Sequence, residues 1–75
     1  LYYLLMIAPT ARQLEILGYI KGYINEHKKS PTYDQIRVYF GFAYRSAVSD
    51  HLRYMQKKGL LYRKTYQHKQ IVLAE

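Results

Sequence analysis

The segment "RSAVSDHLR", residues 45–53, combines small, hydroxyl, carboxylate and guanidinium side chains at the start of one predicted helix. Slim side chains let a helix enter the major groove of DNA, hydroxyls and carboxylates exchange hydrogen bonds with base edges, and guanidinium groups supply positive charge. The chemistry that this composition favours is base recognition. The residues that would perform it are Arg45, Ser46, Ala47, Ser49, Asp50 and Arg53.

The same residues also have a simpler interpretation. The polar face of an ordinary helix is solvated, so these side chains could merely face water. Asp50 has two candidate roles, since a carboxylate is repelled by phosphates: it could accept a hydrogen bond from cytosine N4, or form an ion pair with Arg53. The elements predicted on either side of the segment favour base recognition.

The segment lies in the second of two predicted helices that are joined by a short turn. The third helix of the chain is predicted over about residues 45–58, ending at Gly59, with a buried stripe of Val48, Leu52 and Met55. The second helix is short and is expected to stop at Gly41, with an apolar face of Ile36, Tyr39 and Phe40. Only "GFAY", residues 41–44, separates the two, which is typical of a helix-turn-helix.

Two helix starts carry the same capping signal. Thr10 with Gln13, and Thr32 with Gln35, form T-x-x-Q boxes in which each side chain satisfies an open backbone amide. The first box opens a helix whose predicted apolar stripe is Leu14, Leu17, Ile20 and Ile24. Gly18 and Gly22 weaken that helix, so we expect a neighbouring element to pack closely against them.

After Gly59 the pattern changes to two short strands, predicted around residues 60–66 and 70–73. Leu61, with Ile71 or Leu73, would face the helices. The fold class is therefore mainly α with a small β hairpin, a three-helix winged helix-turn-helix over residues 9–75. Candidate contacts to the DNA backbone lie at the start of the second helix, in the turn and on the hairpin: Thr32, Tyr33, Gln35, Tyr44, Arg63, Lys64, His68 and Lys69.

The charge distribution supports a polyanionic partner. The net charge is +7, and all of the excess lies in residues 28–75, which carry ten basic and three acidic side chains. Nucleic acid is the favoured partner, ahead of an acidic membrane and an acidic protein. The apolar opening, residues 1–8, is far shorter than the ~20 residues of a membrane span. We expect it to be an N-terminal arm that packs on the domain or a leader, and the protein to be cytoplasmic, on the nucleoid if bacterial or viral.

Catalytic and metal-binding patterns are missing from the sequence. There is no cysteine, the three histidines are far apart, and no nucleophile has a base beside it. His51 adjoins the apolar stripe and is interpreted as a packing residue. The sequence therefore predicts no enzyme, no cofactor, no metal and no small-molecule ligand.

The motifs together resemble the N-terminal DNA-binding domain of the LexA repressor family. "PTARQ" at 9–13 is similar to the family's "LTARQ" helix start, and Pro31 with Thr32 matches its "PT" before the second helix. "FGF" at 40–42 corresponds to an "LGF" turn, and "HLRYMQKKGLL" at 51–61 to "HLKALARKGVI". The resemblance covers about residues 9–73.

The resemblance implies three helices plus a two-stranded wing, with the third helix reading a palindromic operator. Carried over by position, the base-reading residues of the family fall on Ser46, Ala47, Ser49 and Asp50. The chain departs from the family where Tyr44-Arg45-Ser46 replaces Ser-Pro-Asn, and where Ser49-Asp50 replaces two acidic residues. The resemblance therefore does not define the preferred DNA sequence. The family's self-cleaving domain is not among the residues that match.

These observations predict a sequence-specific regulator of transcription, a repressor, that binds double-stranded DNA through the third helix and a basic wing. Useful affinity for such a small domain is expected to require a homodimer on paired half-sites. The alternative is a winged-helix module that binds other proteins through exposed tyrosines and does not recognise a DNA sequence.

Overall fold

A computed structural model describes residues 8–64 and 70–73, with the backbone alone for Lys64 and Gln70. Three helices come first: α1 (Ala11–His27), α2 (Tyr33–Phe40) and α3 (Arg45–Lys57). Two antiparallel strands follow, β1 (Leu61–Lys64) and β2 (Gln70–Leu73). The predicted fold class, a three-helix winged helix-turn-helix, is confirmed. Residues 1–7 of the predicted arm lie outside the described part of the chain.

Both predicted capping boxes are confirmed. Thr10 Oγ1 accepts from the Gln13 amide (3.1 Å) while Gln13 Oε1 accepts from the Thr10 amide (3.0 Å). Thr32 and Gln35 repeat the arrangement at 3.0 and 2.8 Å. Each box satisfies two amides that have no partner within the helix, which fixes where α1 and α2 begin.

Glycines in the left-handed conformation end α2 and the turn after α3, as predicted. Gly41 has φ 74° and Gly59 has φ 78°, a region that costs other residues about 1–2 kcal/mol. The Phe42 amide donates to Arg37 O, and the Leu60 amide donates to Met55 O. Both turns are therefore closed by backbone hydrogen bonds.

The core lies where the three helices meet one face of the hairpin. Its buried members come from every element: Ile16, Ile20, Tyr33, Ile36, Val48, Leu52, Met55, Leu61 and Ile71. The predicted stripe of α3 and the inward position of Leu61 are confirmed. Tyr39 was predicted on the apolar face of α2 but is 65% exposed, because it lies at the rim of the core and stacks on Tyr19 instead.

Two predictions for α1 were wrong. Of the predicted stripe, Ile20 is buried and Leu17 and Ile24 pack against the core, but Leu14 is 54% exposed and Ile16 is buried in its place. The apolar residues of α1 cover more than one face, so their spacing does not select a single buried side. No neighbouring atom lies within 4 Å of a Cβ built at Gly18 or Gly22, so the expected close packing does not occur among the described residues.

A long-range hydrogen bond joins the first helix to the end of the third. Lys58 Nζ donates to Gln13 Oε1 (2.8 Å) and to Ala8 O (2.9 Å). Gln13 is the one polar residue among the described buried side chains, and this bond together with the capping box satisfies its oxygen. No helix in the described ranges has the length and apolar character that a bilayer-spanning segment needs.

Candidate nucleic-acid interface

The candidate interface is built on the exposed side of α3. Val48, Leu52 and Met55 are fully buried, and this anchors one face of the helix in the core. The opposite face is accessible. Of the six side chains predicted to contact bases, Arg45, Ser46, Asp50 and Arg53 are exposed, and Ala47 and Ser49 are half-buried.

The turn between α2 and α3 holds the start of α3 in place. Phe42 stacks on His51 with 5.2 Å between ring centroids, and the Arg12 guanidinium lies 5.5 Å from the centre of the Phe42 ring. His51 is therefore a packing residue, as predicted. Tyr44 precedes α3 in an extended conformation, makes no side-chain cap, and is 73% exposed. The first amides of α3 consequently lack a cap from Tyr44.

Carboxylates accompany the arginines of this face. Arg53 Nη2 lies 3.3 Å from Asp50 Oδ1, which confirms the ion pair that was one of the two interpretations of Asp50. Asp34, at the start of α2, lies 3.0 Å from Arg37 Nε and 3.9 Å from Arg45 Nε. All of these groups are substantially exposed, so each pair contributes at most about 1 kcal/mol. They orient the guanidinium groups more than they stabilise the fold.

The start of α2 approaches the start of α3. Thr32 and Gln35 are exposed, but their side chains are engaged in the capping box. Tyr33 is a core residue, 8% exposed, which sequence reasoning did not anticipate. Its accessible edge lines a shallow depression that is otherwise formed by Arg45, Ser46 and Ser49. One shallow depression is therefore lined both by a residue predicted to contact the DNA backbone, Tyr33, and by residues predicted to contact bases.

The hairpin carries the remaining predicted contacts. Arg63 is half-buried in β1 and is held by Gln56 of α3, whose Oε1 accepts from both the amide (3.1 Å) and Nε (3.2 Å) of Arg63. Lys64 ends β1, and its side chain is outside the described residues. His68 and Lys69 are also outside them. Their predicted roles stay predictions.

Residues 6–69 match the family described as the LexA DNA binding domain. The chain belongs to this family. It is 30% identical over 66 residues to the LexA repressor of Verrucomicrobium spinosum, covering 88% of this chain and 33% of that protein. It is 39% identical over 54 residues to the LexA repressor of Sorangium cellulosum, covering 72% of this chain and 24% of that protein.

A further relative is the LexA repressor of Dechloromonas aromatica, 42% identical over 52 residues, which cover 69% of this chain and 26% of that protein. The chain thus spans about a quarter to a third of the LexA repressors that it matches. The resemblance predicted from "PTARQ" and "HLRYMQKKGLL" is confirmed at the level of the DNA-binding domain.

Sequence reasoning missed three residues that shape this LexA-type domain: Ser30, Gln56 and Lys58. Each is polar and makes a hydrogen bond to a residue between 7 and 45 positions away. No local pattern identifies such partners. The one available signal was the position of Lys58 in the last turn of α3, where a cation also complements the helix dipole.

The aromatic side of α1 and α2 forms a separate surface. Tyr19 stacks on Tyr39 with 4.3 Å between centroids, and Val38 and Tyr39 are 66% and 65% exposed. Burial raises the pKa of the Tyr19 phenol, and the neighbouring Tyr23 and Tyr39 phenols raise it further.

Proposed function

We propose that the chain is a DNA-binding domain that recognises a specific duplex sequence and represses transcription. One observation carries the proposal: four of the six predicted base-contacting side chains are exposed on α3 and the other two are half-buried, while the opposite face of the helix is buried in the core. Membership of the LexA DNA-binding family supports it independently. In this proposal α3 lies in the major groove and contacts bases through Arg45, Ser46, Ala47, Ser49, Asp50 and Arg53.

Contacts to the phosphate backbone would fix the register of α3 on the duplex without carrying sequence information. The proposed contacts come from the start of α2, the turn and the hairpin: Thr32, Tyr33, Gln35, Tyr44, Arg63, Lys64, His68 and Lys69. A single domain of this kind buries a small surface, on the order of 600–1,000 Å². Two copies on half-sites about one helical turn apart would supply the affinity, and repression would follow from exclusion of the polymerase. Such a protein would work in the cytoplasm, on the nucleoid.

Selection of preferred duplexes from a random pool tests the proposal. Replacement of Ser46, Ser49 and Asp50 by Ala should relax the selected sequence, whereas Lys64→Ala or Lys69→Ala should weaken binding to all duplexes alike. Affinity should fall steeply with salt, with a logarithmic slope that decreases by about 1 for each lost phosphate contact. A pool that yields no preferred sequence would contradict base recognition.

The alternative function, a protein-interaction module, is favoured by one observation, the exposed pair Val38 and Tyr39 beside Tyr19. Exposed aromatic groups are enriched in protein interfaces. This alternative predicts that the chain does not bind duplex DNA even at low salt, where electrostatic binding is strongest. Fluorescence anisotropy with a labelled duplex at low and high salt separates the two functions.

A further inference from the structure

The hairpin is attached to the helical body at both of its edges. Arg63 and Ile71 are partners in the strand register, and the amides of both residues donate outside the sheet. Opposed residues of an antiparallel pair exchange either two hydrogen bonds or none, so these two amides point away from the partner strand. The Arg63 amide donates to Gln56 Oε1 (3.1 Å), and the Ile71 amide donates to Ser30 Oγ (3.2 Å).

Gln56 also contacts the side chain of Arg63. The oxygen that accepts from the Arg63 amide accepts from Arg63 Nε as well (3.2 Å), and a carbonyl oxygen has two lone pairs for two such bonds. A guanidinium carries five N–H donors, so four remain on the two terminal nitrogens. These nitrogens can bind two oxygens of a phosphate at once.

The connection between Gln56 and Arg63 is short and closed. The Gly59 amide donates to Gln56 O (2.9 Å), and Leu61, at the start of β1, is fully buried. The path from α3 to Arg63 therefore has little freedom. Gln56 lies on α3 itself, so the position of the helix sets where the amide and Nε of Arg63 are held.

We infer that Gln56 is a positioning residue for DNA binding, which directs the guanidinium of Arg63 towards a phosphate at the edge of the groove that α3 occupies. This inference rests on the proposed function. Gln56 sets the distance between the base-contacting helix and the backbone-contacting strand. Ser30 holds the other edge of the hairpin through the Ile71 amide.

A double-mutant cycle tests the inference. Gln56→Met keeps the length of the side chain and removes its acceptor, while Arg63→Met removes the cation. Affinity for the selected duplex is measured by anisotropy for both single variants and for the double variant. We expect Gln56→Met to weaken binding about three- to tenfold, Arg63→Met to weaken it at least as much, and the double variant to match Arg63→Met. Asn25→Met, on the exposed surface of α1, is the matched control and should bind like the wild type.

Hydrogen exchange of the unbound protein gives a second readout. The Arg63 amide should exchange faster in Gln56→Met, because its acceptor is gone, while a thermal melt checks that the variant is folded. Gln56→Ala repeats both measurements with a residue of high helix propensity.

If the fold-losses in affinity of the two single variants multiply in the double variant, Gln56 acts independently of Arg63 and the inference is overturned. Wild-type affinity in Gln56→Met would also overturn it. Either result leaves DNA binding by the wild type intact. A wild-type chain that binds no duplex at low salt would instead overturn the proposed function.

Discussion

Lys58, just after α3, donates from its ammonium group to the side-chain oxygen of Gln13, at the start of α1, across 2.8 Å. Gln13 is only 6% exposed, and its oxygen also accepts the amide of Thr10. One cation therefore links the capping box of the first helix to the end of the helix that carries the candidate interface. The contact spans 45 positions of sequence.

Lys58→Met should destabilise the fold, since a buried amide oxygen loses a charged donor. Hydrogen bonds of this type contribute about 1.5–3 kcal/mol, and the free energy of unfolding from urea titration should fall within that range. Lys21→Met, on the exposed surface of α1, is the matched control, because it removes a cation without removing a contact between the described residues. Its effect should stay within about 0.5 kcal/mol. Equal losses in the two variants would contradict the role of Lys58.

Gly18→Ala and Gly22→Ala should each stabilise the protein by about 0.5–1 kcal/mol. Both positions are inside α1, and no atom of the described residues lies within 4 Å of the added Cβ, so alanine reduces the entropy of the unfolded chain without a clash. Gly41→Ala should have the opposite effect, because φ 74° is strained for any residue with a Cβ. Thermal melts of the three variants measure the difference. A lower melting temperature for Gly18→Ala would show that another chain or segment packs against α1.

Asp34→Asn should increase affinity for all duplexes about two- to fivefold. The carboxylate pairs with Arg37 and Arg45, and its removal frees both cations and takes a negative charge away from the start of α3. Glu26→Gln makes the same change of charge on α1 and serves as the control. Anisotropy at one fixed salt concentration compares the two variants. An affinity for Asp34→Asn no higher than that of Glu26→Gln would mean that Asp34 does not restrain the interface.

The raised pKa of Tyr19 predicts how stability changes in alkali. An acid whose pKa is higher in the folded state binds its proton more tightly there, so its stabilisation is complete below the unfolded pKa of about 10. It is lost as the pH rises through the folded value. Tyr19→Phe should therefore reduce the fall in the free energy of unfolding above about pH 10. An unchanged alkaline profile in urea titrations would contradict a raised pKa for Tyr19 in the folded state.

The sequence alone determined where α1 and α2 begin, where α2 ends and which side of α3 is buried. Capping boxes and glycine stops are made by residues within about four positions of one another, so their hydrogen bonds are encoded locally. Val48, Leu52 and Met55 are the main apolar side chains within α3, so their spacing selects a single face. The family resemblance rested on the motifs "PTARQ", "PT", "FGF" and "HLRYMQKKGLL".

Only the tertiary structure decided whether Leu14 or Ile16 of α1 is buried and how the hairpin is held. Leu14 and Ile16 are both apolar, and the choice between them depends on where α2, α3 and β1 pack. The bonds of Ser30 to Ile71, Gln13 to Lys58 and Gln56 to Arg63 join different elements. Each bond forms only when the elements that carry its two partners pack at the right angle and distance. The whole core sets that packing, because the two partners lie in different segments of the chain.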